Sequence, residues 1–305
     1  MDANHSKCLD GERPLGGAVL PMNTLSTSVL EHELSELRLI LERQAGVLLD
    51  TPAEILSDVL RKYLLSKHQG SVQDMLSLLR SSDAECERLL EPLLDPQTGF
   101  FRYPQAFEAL ATLVLPDLQT RKLAENPHSL RVWSAGCSSG EEAYSIAMSV
   151  CDALNCNGGG WNVRIIGSDI RRPALEVAQR GLYPESGLQQ VSRQRVQTYF
   201  VRVGQHLLVK PRVRNLVTFT PMNLAKPDYL GRFDCIFCMD VLPHFSMSQR
   251  VALTQRLHLY LEPGGYLFLG QNEKLPAVDV AFRPHKTGSY TLYQKPMAAA
   301  AGQGR

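Results

Sequence analysis

No run of apolar residues in these 305 positions approaches the roughly 18 needed to cross a bilayer, so no membrane span is expected. The first 21 residues lack an apolar stretch of leader length and carry Asp2, Asp10 and Glu12, which argues against a secretory signal. A charge surplus is missing too. Lys and Arg number 32 against 31 Asp and Glu, so there is no global field to draw in nucleic acid or an anionic membrane. The seven cysteines are an odd number without a secretory context, which favours reduced thiols in the cytoplasm. The pair Cys235-x-x-Cys238 falls in an apolar run that reads as a buried strand, where residues three apart face opposite ways. No metal or redox centre is expected from it, and no histidine cluster stands at ligand spacing. With 44% hydrophobic and 21% charged residues, an ordinary globular protein remains, with room for about two domains.

The even charge balance conceals an asymmetry. From Met22 to Asp95 there are 7 Lys/Arg against 13 Asp/Glu, a net of −6. From Arg171 to Arg214 there are 9 against 2, a net of +7. Each run is either a solvated face or a docking surface for a charged partner.

Residues 1–21, with Pro14, Pro21 and three glycines, and 296–305, with Ala298 to Ala301, read as flexible ends. Between 22 and 95 the pattern is helical throughout. Leu34, Leu37 and Leu41 share one face. Thr51, Pro52 and Glu54 make a start signal before a stripe of Ile55, Leu56, Val59, Leu60, Tyr63 and Leu64. Val72, Met75, Leu76 and Leu79 form a third stripe. Ser82 and Glu85 form a second capping box, ahead of Cys86, Leu89, Leu90, Leu93 and Leu94. Four short helices in a small bundle follow from this.

From Leu130 onward the period changes. Strands are expected at Arg131–Ala135, Val163–Gly167, Leu216–Thr220, Phe233–Cys238 and Gly265–Leu269, with helices over Glu141–Leu154, Pro173–Arg180 and Ser246–Tyr260. Such alternation needs crossover connections, hence a doubly wound α/β domain with a mostly parallel sheet over residues 96–295. Ser289–Gln294 could add an antiparallel edge strand. The basic stretch 189–214 breaks the alternation, and Val201, Val203, Leu207, Leu208 and Val209 around Gly204 suggest a small inserted β-hairpin.

Open sheets of this kind bind ligands at the carboxyl ends of their strands. Three features converge there. The turn Ala135-Gly136-Cys137-Ser138-Ser139-Gly140-Glu141 lets backbone approach a ligand closely. Asp169 ends the second strand, where an acid can accept from both ribose hydroxyls. Asn223 and Asp240 follow the third and fourth strands. The GxGxxG pattern of dinucleotide sites is absent, and Glu141-Glu142 at the helix start suits a cofactor with a cationic end better than a pyrophosphate.

The run Trp133-Ser134-Ala135-Gly136-Cys137-Ser138-Ser139-Gly140-Glu141-Glu142-Ala143-Tyr144-Ser145 resembles the signature of the chemotaxis receptor methyltransferases, the CheR family. So do Thr98-Gly99-Phe100-Phe101-Arg102, Gly167-Ser168-Asp169-Ile170, Asp234-Cys235-Ile236-Phe237-Cys238 and the run from Leu261 to Gly270. The likeness spans about Leu34 to Lys295. It implies a Rossmann-like methyltransferase fold, S-adenosylmethionine as cofactor, and methyl transfer to glutamate side chains on the cytoplasmic helices of chemoreceptors. Carried over by motif, Thr98 and Arg102 lie over the cofactor, Glu142 meets its ammonium and Asp169 its ribose. Asn223 and Leu224 flank its adenine, and Met239 and Asp240 follow the fourth strand. Arg102 could hold the incoming carboxylate by a charge-assisted fork or instead form an interdomain salt bridge, and the inserted hairpin resembles the family's β-subdomain. A monomer is expected.

Four departures from the family pattern bear on the acceptor side. His244 stands where a substrate-facing tyrosine is usual, Asp240 replaces an asparagine, Pro96 replaces an asparagine, and Gln271-Asn272-Glu273 replaces His-Ser-Glu. The helical region is also acidic where family members tend to be basic. Two other functions therefore stay open: methyl transfer to a nitrogen or to another protein, and a module that binds the cofactor without turnover.

Overall fold

The computed structural model describes residues 29–67, 71–94, 98–123, 128–154, 160–226 and 230–297. The lead-in expected over 1–21, Pro96 and the tail from Ala298 lie outside the described residues.

Four helices come first: α1 (Glu31–Ala45), α2 (Ala53–Lys67), α3 (Val72–Ser81) and α4 (Asp83–Leu90). Their ends follow from local chemistry. Gly46 closes α1 at a φ of 73°, and Ser71 and Ser82 accept the N–H of Asp74 and Glu85 to start α3 and α4. Leu34, Leu37, Leu41, Leu56, Leu60, Leu64 and the whole stripe of α3 bury into one apolar cluster. The stripe on α2 is narrower than expected. Its buried residues run strictly i, i+4 through Leu56, Leu60 and Leu64, which leaves Ile55 53% exposed on the adjoining face.

A helical segment joins this bundle to the sheet, with no counterpart among the expected elements. It comprises α5 (Pro104–Ala109), a π-helical stretch at Leu110–Val114 and α6 (Leu115–Lys122). The α/β domain then runs β1 (His128–Ala135), α7 (Glu141–Leu154), β2 (Trp161–Asp169) and α8 (Arg172–Arg180). The insertion follows, as β3 (Leu182–Pro184), α9 (Arg193–Tyr199), β4 (Phe200–Val203), β5 (His206–Val209) and α10 (Pro211–Arg214). The chain finishes with β6 (Val217–Pro221), β7 (Phe233–Cys238), α11 (Met247–Tyr260), β8 (Leu261–Leu269), β9 (Arg283–Thr287) and β10 (Tyr290–Gln294).

Seven strands form one sheet in the order β6-β2-β1-β7-β8-β10-β9, parallel from β6 to β8 and antiparallel beyond. Strand β7 is buried at every position, and Phe237 stacks on Phe268 of β8 at 4.1 Å. Strand β10 is antiparallel as expected, yet it is not the edge. That place goes to β9, whose Arg283-Pro284-His285-Lys286 has no apolar alternation to announce a strand and whose proline suits an outer position. The insertion also exceeds a hairpin. Strands β4 and β5 pair around Gly204, and β3 adds a third strand upstream of residue 189, too short for any periodic signal.

The strand order reverses between β1 and β7, which opens a crevice at their carboxyl ends. The helical bundle closes it from one side. Val47 bridges to Phe245, the Leu48 N–H donates to the His244 carbonyl at 2.7 Å, and Lys226 pairs with Asp83.

Candidate functional site

The floor of the crevice is the turn after β1. Gly136 takes a φ of 80°, and the N–H groups of Gly136 and Cys137 both donate to the Ser168 carbonyl at 2.8 Å. A Cβ at Gly136 would lie 2.6 Å from Val241 Cγ2, so the turn and the segment after β7 touch only because this residue is glycine. Ser138 also has a positive φ, 51°, and its N–H donates to Asp169 Oδ2 at 2.8 Å. The first turn of α7 thereby presents Glu142 to the crevice, while Glu141 accepts from Ser139 and Thr98 outside the lining.

A cavity of about 290 Å³ fills the crevice. Every site residue singled out in the sequence lines it: Thr98, Arg102, Glu142, Asp169, Asn223, Leu224, Met239, Asp240 and His244. These nine come from five separate stretches of chain, which the fold brings together. The wall also includes Val47 and Leu94 from the helical bundle, with Tyr103, Phe107 and Phe245.

Glu142 accepts from the Ser134 hydroxyl at 2.6 Å, and among the described residues it makes no ion pair. Burial pushes its carboxyl up to about 7. The Ser134 bond opposes that rise, and Asp240 and Glu273 add repulsion that Arg102 partly offsets. Its side chain lines the cavity and stays half-buried, while the protein packed around it is dense. Asp169 uses both oxygens within the chain: Oδ2 for Ser138, and Oδ1 for the N–H and Nε of Arg171 at 2.9 and 3.2 Å. Each oxygen keeps acceptor capacity toward the cavity. Asn223 Oδ1 accepts from the Ala225 N–H, which leaves its amide group against the bundle near the Gln44 carbonyl.

At the mouth the arrangement departs from expectation. Arg102 Nη1 pairs with Asp240 Oδ2 at 2.8 Å, and Tyr103 donates its hydroxyl to the same oxygen at 2.6 Å. The guanidinium expected to receive an outside carboxylate is thus already engaged by one inside the chain. Asp240 is fixed by its backbone as well, with a φ of 59° and its N–H donating to Glu273 Oε2 at 2.8 Å. Burial, joined by the Asp240 contact, pushes the Tyr103 phenol up to about 12. His244 is exposed while lining the cavity, and desolvation, with Arg171 and Arg250 nearby, lowers its pKa below the usual histidine value against the pull of Asp240, so the neutral form predominates near pH 7. A neutral imidazole can donate one hydrogen bond.

Three functional neighbours had little or no sequence signal. Arg171 carries none, since its role is set by a two-residue turn onto Asp169. Tyr103 was visible only as the residue after Arg102. Glu273 stood in the triplet Gln271-Asn272-Glu273, but its bonds to the Asp240 and Gly270 N–H groups depend on the fold. Cys235 and Cys238 are both buried with their thiols pushed up by burial, and no group of metal-binding side chains occurs among the described residues.

The donor set fits S-adenosylmethionine. A half-buried carboxylate that makes no ion pair among the described residues matches an amino-acid ammonium, a held aspartate with lone pairs to spare matches a ribose, and apolar walls match an adenine ring. A family model described as "CheR methyltransferase, SAM binding domain" matches residues 96–291. The chain is 30% identical over 279 residues to chemotaxis protein methyltransferase Cher2 of Pseudomonas putida, covering 88% of this chain and 99% of that protein. It is 33% identical over 263 residues to the chemotaxis protein methyltransferase of Escherichia coli K12, covering 84% and 88%.

Proposed function

The chain belongs to the CheR methyltransferase family and is an S-adenosylmethionine-dependent methyltransferase; from that premise we propose that it esterifies glutamate side chains on the signalling helices of chemoreceptors in the cytoplasm. The observation that carries this reading is the cavity at the sheet's reversal point, where Glu142, Asp169, Asn223 and Arg102 converge. Glu142 would hold the ammonium end of the cofactor and Asp169 its ribose. Asn223 and Leu224 would flank the adenine, with Met239, Asp240 and Thr98 completing the enclosure.

Bound, the cofactor supplies a methyl group on a positively charged sulfur that leaves as a neutral thioether. An acceptor glutamate is already ionised near pH 7, so the protein needs no general base. Its residues have three tasks. Arg102 binds and orients the incoming carboxylate by a charge-assisted bond, trading its contact with Asp240. His244, neutral, donates a hydrogen bond at the mouth. Tyr103, Phe107, Phe245 and Val47 exclude water from the line of transfer.

Transfer of labelled methyl to receptor signalling fragments, followed by treatment with alkali, tests the reading. Alkali-labile label is the expected result. Alkali-stable label would move the reaction to nitrogen. No label, from protein that still binds S-adenosylhomocysteine, would refute the enzyme reading for those acceptors.

A further inference from the structure

The insertion packs against the two phenylalanines that precede Arg102, itself a residue of the cavity wall. Phe100 lies edge-on between Tyr183 of β3 (4.9 Å between centroids) and Phe200 of β4 (5.5 Å). Tyr183 also donates its hydroxyl to the Ser139 carbonyl at 2.6 Å, so the same sheet holds the turn after β1. Phe101 is the more telling residue. It has a φ of 53°, a conformation that an aromatic side chain adopts only when its surroundings impose it.

Those surroundings can be named. The Phe101 N–H donates to Ser145 Oγ at 3.0 Å, and Ser145 is anchored in turn on the Glu141 carbonyl at 2.6 Å. One side of the ring meets Phe107 edge-on at 5.0 Å. The guanidinium of Arg195, on α9 of the insertion, lies 4.4 Å from the ring centroid, well inside cation–π range. Asp152 of α7 orients that guanidinium by accepting from Nε at 2.9 Å. Arg195 itself lines no part of the cavity. Its contact with Phe101 brings it one residue away from Arg102, which does line the cavity.

We propose that Arg195 is a positioning residue for the transfer reaction: by pressing on the Phe101 ring it keeps that backbone in its left-handed conformation, and so keeps Arg102 aimed into the crevice. The insertion is then part of the catalytic apparatus and not only an appendage beside it. This rests on the methyltransferase reading for its kinetic half and on geometry alone for the other half.

The test compares the full chain with Arg195→Ala, Arg195→Lys and Asp152→Ala. Two quantities are measured: turnover on a receptor fragment, and hydrogen exchange at the Phe101 amide. Arg195→Ala should lower kcat about tenfold, the scale of a small misplacement of a reacting group. The KM for S-adenosylmethionine should stay within about twofold, and the Phe101 amide should exchange about tenfold faster. Arg195→Lys should recover most of both losses, because a cation over the ring is retained. Asp152→Ala should fall between. A kcat within twofold of the native value in Arg195→Ala overturns the proposal, as does an unchanged amide. So does a parallel fall in kcat, cofactor affinity and melting temperature that Lys does not rescue, since that marks a merely structural contact. Absence of transfer by the unsubstituted protein is a different failure. It removes the acceptor reading, and the exchange result still decides whether Arg195 holds the Phe101 backbone.

Discussion

Glu142 should make cofactor binding depend on pH in a way that can be worked out beforehand. Its carboxyl is raised from 4.5 to about 7, chiefly by burial. At about 1.4 kcal/mol per pKa unit this displacement amounts to at most about 3.5 kcal/mol, and to about 3 or less where cavity water screens the charge. The folded protein holds the proton more tightly than the unfolded chain does. Between roughly pH 4.5 and 7 the native state therefore binds more protons, so this residue's contribution to stability is fully present at low pH and is lost as pH rises through that window. Glu142→Gln should accordingly match the native protein near pH 4 and exceed its stability at pH 8 by up to about 3 kcal/mol. Ligand affinity should move the other way. A cationic amino-acid end needs the ionised carboxylate, of which about a tenth is present at pH 6 and about nine tenths at pH 8. The Kd for S-adenosylhomocysteine should thus fall about tenfold from pH 6 to pH 8, with release of a proton on binding at the lower pH. Titration calorimetry in two buffers of different ionisation enthalpy reads both. Glu142→Gln should bind weakly and without the slope. A flat Kd in the native protein, or an equal slope in Glu142→Gln, would refute the assignment.

Three further outcomes follow from the same geometry. Asp240→Asn should retain an acceptor for Tyr103 while removing the charge that competes for Arg102, so the KM for a glutamate acceptor should fall several-fold at low ionic strength; a rise in that KM would show Asp240 working for the acceptor instead. Asp169→Ala strands the buried Arg171 charge and the Ser138 N–H, and should cost about 3–5 kcal/mol in chemical denaturation. Adding Arg171→Met should recover part of that loss, and no recovery would mean that the ion pair is not the cause. Gly136→Ala combines a strained φ with a 2.6 Å clash on Val241, and should lose about 1–3 kcal/mol together with most cofactor affinity. Wild-type stability there would show that the turn can shift at little cost.

Particular residues show where sequence sufficed. The alternation of strands and helices from Leu130 gave the doubly wound sheet, because burial of a parallel strand on both faces demands a continuous apolar run such as Phe233–Cys238. The stripe Val72, Met75, Leu76 and Leu79 and the serine caps are likewise local, set by the helical period and by unsatisfied N–H groups. The cavity lining was legible because ligands in such sheets meet the residues just past successive strands, and Asp169, Asn223 and Asp240 stand there. Elements without periodicity escaped. Strands β3 and β9 are short or polar, and exist because a neighbour offers them an edge. The helices between Pro104 and Lys122 carried too mixed a pattern to separate from a linker.

The sequence by itself determined the elements, their order and the residue types that reach the crevice, since each depends on neighbours within a turn or a strand. Only the tertiary structure decided what those residues do to one another. Arg102 and Asp240 are 138 positions apart, and nothing in either stretch says that they pair. Arg195 reaches Phe101 only because the insertion folds back over α7, and Glu142 acquires its raised pKa chiefly because the fold buries it, with Asp240 and Glu273 adding repulsion. Charge interactions and desolvation act through space, so they are fixed by which surfaces the folded chain brings within a few ångströms.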